Sequence, residues 1–202
     1  MNARILIALF LLAVFSLGAV ALAARSGDGG DEGSPTSGGS PFEGAEMPSQ
    51  VPAPDFALRD EQGERVSMRE FRGQPVIVTF LYTHCEDTCP VQAQTVRGAL
   101  DQLGEGVPAI AIAVDPPNDT SRSARAFLSE QHVLGRIRFV LGSRAELRKL
   151  WKGFYVRPQT VTEEHQARFT LVDKRGFQRV GYPGSLATPE TLARDVRLLQ
   201  AE

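Results

Sequence analysis

The stretch Pro75–Pro90, PVIVTFLYTHCEDTCP, decides the fold and holds the chemistry. Pro75 to Tyr82 is β-branched, aromatic and free of charge, the pattern of a strand buried on both faces. From Pro90 to about Leu103 the pattern is helical, so THCEDTCP is the turn between a strand and a helix. The first N–H groups of a helix are unpaired and its dipole favours negative charge, so a thiolate placed there is stabilised. Pro90 suits the first helical turn. A residue before proline avoids the helical conformation, so Cys89 is expected at the cap and Cys85 in the turn just before it.

Outward from this stretch, strands and helices alternate. Val107–Val114 and Ile137–Leu141 read as buried strands, with a helix from Asp119 to about His132 between them. Ser143 caps a helix running to about Lys152, with Glu146 completing a capping box. Phe56–Val66 reads as two short extended pieces around the turn Asp60–Gly63, and Phe169–Tyr182 as two strands around Asp173–Gly176. Thr188 caps a last helix to about Leu199, with Pro189 in its first position. This order predicts an α/β fold, a thioredoxin-like three-layer sandwich with a central mixed sheet over residues 52–202, preceded by one N-terminal apolar helix.

Ile5–Ala24 carries no charge, and its 20 residues span about 30 Å as a helix, which matches a bilayer core. Its length favours an uncleaved transmembrane anchor over residues 1–24. Ala21-Leu22-Ala23 would instead serve a signal peptide as its cleavage site. Either reading puts the folded part outside the cytoplasm, on the periplasmic or outer face. Residues 25–51 read as a flexible Gly/Ser/Pro linker with a mean reach of roughly 30 Å. The formal net charge of -2 argues against a nucleic-acid partner, which needs a basic face.

The chain has 2 cysteines and 3 histidines, too few for a disulfide-stapled fold or a four-ligand zinc finger. Two soft thiolates at one turn suit copper(I), zinc or a disulfide. Inert buried thiols are the bland alternative. A structural disulfide is a stronger one outside the cytoplasm, although it closes only a small loop.

FLYTHCEDTCP resembles the signature of the SCO/SenC proteins (synthesis of cytochrome c oxidase), in which Tyr-Thr is followed by Cys-x-x-x-Cys-Pro. VDPPNDT at Val114–Thr120 is similar to that family's Val-Asp-Pro-x-x-Asp-Thr, and FVLGS followed by a helix and Phe154–Val156 is similar as well. His165, eight residues before Asp173 in HQARFTLVD, has the spacing of the family's histidine. The resemblance covers Pro52–Glu202. It implies copper bound by Cys85, Cys89 and His165, and delivered to the dinuclear copper centre of cytochrome c oxidase. Its partners would be the copper-centre subunit of that oxidase and other copper carriers. It equally implies a thiol:disulfide oxidoreductase, with Cys85 and Cys89 redox active, that keeps the centre's cysteines reduced. Glu86 departs from the family's proline, and with Asp87 it is expected to raise the thiol pKa values.

A thiol peroxidase on the same fold is a third and weaker reading. The Cys-x-x-x-Cys spacing, and the lack of a proline in Gln166-Ala167-Arg168 where thioredoxins have one, shift the balance toward metal. His165 in TEEHQ would, on spacing alone, be a solvated loop histidine. His84 is expected to face away from the sulfurs, and His132 to be solvated. Asp115 either supports a ligand from behind or caps the following turn with Asp119.

Overall fold

A computed structural model describes residues 39–104, 106–158 and 167–202. The N-terminal apolar helix, most of the linker and His165 lie outside the described residues. Among the described residues no helix is long and apolar enough to cross a membrane.

The strands are β1 (Ala45–Glu46), β2 (Ala57–Arg59), β3 (Arg65–Ser67), β4 (Val76–Leu81), β5 (Ala109–Ala113), β6 (Arg138–Val140), β7 (Arg168–Val172) and β8 (Gln178–Pro183). The helices are α1 (Thr88–Leu103), α2 (Ser121–Glu130), α3 (Arg144–Gly153) and α4 (Pro189–Ala201). The described residues form a mixed six-stranded sheet in the order β1-β8-β7-β4-β5-β6, with β2 and β3 as a separate hairpin. β4, β5 and β6 run parallel, while β7 returns antiparallel to β4. Every residue of β4 and β5 is buried, as expected of strands covered on both faces.

Alternation along β4 assigns the two outer layers. Thr79 meets Gln92 of α1, with its hydroxyl 3.0 Å from the carboxamide. The next residue, Phe80, packs edge-on against Phe154 at the end of α3. Phe127 of α2 makes a similar edge contact with Phe139 of β6, which the register sets level with Ala111 and Thr79, so α2 lies with α1 on the first face and α3 covers the second. α1 packs on α4 so closely that a Cβ on Gly98 would lie 2.9 Å from the Pro189 ring. The caps at Ser143 and Thr188 accept the N–H three residues on, as expected, and Thr120 does the same for α2, which starts two residues later than the sequence suggested.

The folded unit starts earlier than residue 52. It spans Ser40–Glu202. Phe42 is buried, β1 pairs with β8, and Asp195 of α4 accepts the N–H groups of Glu43 and Gly44 at 3.0 Å each. The end of the stretch read as linker is therefore pinned to the sheet edge. A two-residue polar strand beside a Gly-rich run carries too little periodicity to be seen in sequence.

Candidate metal centre

β4 runs up to Leu81, and the chain then turns through Tyr82, Thr83 and His84 before α1 begins. The two cysteines are free thiols on either side of that junction. Cys85 is 8% exposed and Cys89 is fully buried. The N–H of Cys89 donates to Cys85 Sγ at 3.2 Å, and Thr88 Oγ1 lies 3.6 Å from the same sulfur. Asp87 occupies the cap position but its side chain makes no capping bond. A sulfur thus takes the acceptor role that an oxygen usually fills at a helix start.

Cys89 is the second helical residue rather than the cap. Pro90 then falls third, where its missing N–H belongs to no helical bond, so the helix starts two residues earlier than expected.

The two thiols are unlike. Burial raises the Cys85 pKa, but hydrogen bonds from the Cys89 side chain and backbone, then from Thr88 and Tyr82, outweigh burial and leave it below the ordinary cysteine value. Burial also dominates at Cys89, and the neighbouring Cys85 sulfur adds to it, pushing that thiol well above its ordinary range. The sequence-based expectation that Glu86 and Asp87 raise both thiols is therefore corrected for Cys85. Both carboxylates are exposed, where water screens them, and the contacts at the sulfur prevail.

Asp119 is the residue whose part the sequence left unassigned. It is 6% exposed, and its carboxylate accepts the N–H of Thr83 at 2.8 Å and of Asp115 at 2.9 Å. One side chain therefore ties the end of β4 to the end of β5, two residues before Cys85. Burial raises its pKa to about 6, against the opposing backbone bonds. Asp115 takes the capping role, with its side chain accepting from Asn118 Nδ2 at 2.7 Å. His84 is exposed with Nδ1 3.1 Å from Thr83 Oγ1, and His132 is exposed at the end of α2, both as expected. Among the described residues no cluster of three or more His, Cys, Asp or Glu side chains is able to hold a metal ion. The two sulfurs are a soft pair suited to copper.

A reduced cysteine pair at the head of the helix after the central strand, on a mixed sheet covered on both faces, defines a thioredoxin-like thiol protein. The chain belongs to the SCO1/SenC family, which it matches over residues 45–200. It is 28% identical over 155 residues to protein sco1 of Schizosaccharomyces pombe, covering 70% of this chain and 58% of that one. The chain spans 33% to 58% of the length of the SCO1 relatives it matches. It is also 32% identical over 111 residues to peroxiredoxin Bcp of Escherichia coli, covering 51% of this chain and 71% of Bcp. The solved structure of Bradyrhizobium japonicum ScoI with copper bound superposes with a TM-score of 0.62 at 28% identity, covering 73% of this chain and 98% of that one.

Proposed function

We propose that this protein is a copper metallochaperone that assists assembly of the dinuclear copper centre of cytochrome c oxidase. Cys85, Cys89 and His165 are its copper ligands, and copper is its cargo. The N-terminal segment holds the folded domain at the extracytoplasmic face of the cell membrane. The observation that carries this reading is the reduced pair itself. Two sulfurs share one turn, one with its pKa lowered and slightly open to solvent, the other buried behind it. The copper-bound ScoI relative and the membership of the family support it.

The test is copper titration of the reduced full chain in mild detergent. One copper per chain is expected, with at least a tenfold loss of affinity in His165→Ala and loss of tight binding in Cys85→Ser. Less than one tightly bound copper, or an affinity indifferent to His165→Ala, overturns it.

The unlike thiols favour a second reading, a thiol:disulfide oxidoreductase that keeps the oxidase centre's cysteines reduced. A low-pKa thiol beside a protonated one is the arrangement used in exchange. Oxidase assembly in cells that is intact with His165→Ala but abolished by Cys85→Ser selects this reading over the first.

A further inference from the structure

Beside the cysteine turn lies a cleft of about 560 Å³ that the copper chemistry leaves unused. Asp87 and Thr88, from between the two cysteines, form one end. Val91 and Gln92 of α1 form a wall, and Ala167, just before β7, and Pro183 of β8 face them. Its size is that of a small-ligand or peptide site.

Two observations set it apart. The first is Gln92, which is 2% exposed and whose Nε2 has no hydrogen-bond partner. Its Oε1 is 3.0 Å from Thr79 Oγ1, and that hydroxyl is also 3.3 Å from the carbonyl of Arg168. Turning the carboxamide over would let Nε2 donate to Thr79 and leave Oε1 without a partner instead. In either rotation one polar atom at the cleft is unpaired, a costly state when buried. A main-chain peptide group carries both a donor and an acceptor and satisfies either rotation.

The second is the rim. Val91 is 62% exposed and Leu186, one residue past the cleft-lining Ser185, is 68% exposed. They are two of the four large apolar side chains that are exposed among the described residues. A cleft of similar volume between the β2–β3 hairpin and the heads of α2 and α3 differs in this respect. There Asp60 pairs with Arg138, Arg59 donates to the Gly63 carbonyl and Glu146 accepts from Ser143.

We infer that this cleft docks an extended polypeptide segment of the protein that receives the copper, through a main-chain hydrogen bond to Gln92 and an apolar side chain seated on Val91 and Leu186. The choice of occupant rests on the copper-carrier reading. Because Asp87 and Thr88 form one end of the cleft, a segment held there lies beside the thiols without covering Cys85 from the other side.

The test measures affinity between the copper-loaded full chain in mild detergent and the soluble apo copper-binding domain of the same organism's cytochrome c oxidase. Val91→Gln and Leu186→Gln add no charge near the thiols and lie on the surface. Each is expected to weaken binding at least tenfold, and Gln92→Leu about threefold, with copper stoichiometry unchanged. Wild-type binding that is undetectable, or unaltered within twofold by both surface variants, overturns the proposal. A loss confined to Arg148→Glu and Lys149→Glu on α3 overturns it in favour of that basic helix. Self-association abolished by Val91→Gln, without effect on the oxidase domain, assigns the cleft to a second copy and overturns it too. Failure of the copper reading shows separately, as loss of the copper stoichiometry itself.

Discussion

The N–H of Cys89 points at Cys85 Sγ from 3.2 Å, and together with the deeper burial of Cys89 this contact makes the two cysteines chemically different. Negative charge on Cys85 is met by a helix-start N–H and by Thr88. Negative charge on Cys89 would sit in the core next to another sulfur. The first deprotonation of the pair therefore belongs to Cys85.

Alkylation follows from this asymmetry. With limiting iodoacetamide at neutral pH, Cys85 is expected to react at least tenfold faster than Cys89, since the thiolate is the nucleophile. Peptide mapping by mass spectrometry reads the ratio. Its pH profile should have a midpoint below the ordinary cysteine value, and Cys85→Ser should leave a nearly inert protein. Equal labelling at the two positions would refute the assignment.

Asp119 predicts a pH signature. Its folded pKa of about 6 lies above the ordinary aspartate value of 3.8, so the folded chain holds this proton more tightly than the unfolded chain. Protonation of this group thus favours folding, and its share of the stability rises as the pH falls from about 6 toward 4. Urea unfolding of wild type and Asp119→Asn at a series of pH values isolates that share, because the asparagine does not titrate. The stability difference between them should change across this window and be flat above pH 7. Asp119→Ala leaves the N–H groups of Thr83 and Asp115 without an acceptor and should cost about 2–4 kcal/mol. A pH-independent difference between wild type and Asp119→Asn contradicts the assignment.

The legible part of this protein was the part written in apolar runs. β4 and β5 carry no charge and are buried on both faces, and their ends locate the turn that holds Cys85 and Cys89. Cap residues at Ser143 and Thr188 announced their helices through side chains that act within three residues of themselves. Long-range polar contacts were not legible. Asp119 looks like any loop aspartate until β4 and β5 come together and enclose it. Gln92 lies in a polar run, and only the register of α1 on β4 turns it inward toward Thr79. The effect assigned to Glu86 failed for the same reason, because the sequence does not say that the carboxylate faces water.

Gly98 gives a packing prediction. A methyl group there would stand 2.9 Å from the Pro189 ring, inside ordinary contact. Gly98→Ala gains helix propensity of about 1 kcal/mol, yet α4 has to move to admit it. Overpacking of this kind costs about 1–3 kcal/mol. The net expectation is a loss of up to about 2 kcal/mol in urea unfolding, with copper stoichiometry retained because the cysteines lie at the far end of α1. A stabilised Gly98→Ala would show that the two helices separate freely.

Asp195 makes the last prediction, about how the chain enters the fold. Its buried carboxylate accepts the N–H groups of Glu43 and Gly44, and Tyr182 Oη donates to it as well. Burial and this hydrogen bond to Asp195 push the Tyr182 hydroxyl above its ordinary value, so the proton stays on the tyrosine. The clamp fixes the point where the stretch after residue 39 joins the sheet. Asp195→Ala removes three accepted hydrogen bonds at once. Hydrogen exchange at Glu43 and Gly44 should accelerate at least a hundredfold, with little change in β4 or β5. Asp195→Asn retains one oxygen acceptor and should recover part of the protection. Unchanged exchange at both amides in Asp195→Ala would mean that β1 pairing alone holds the arm, and that Asp195 serves only Tyr182.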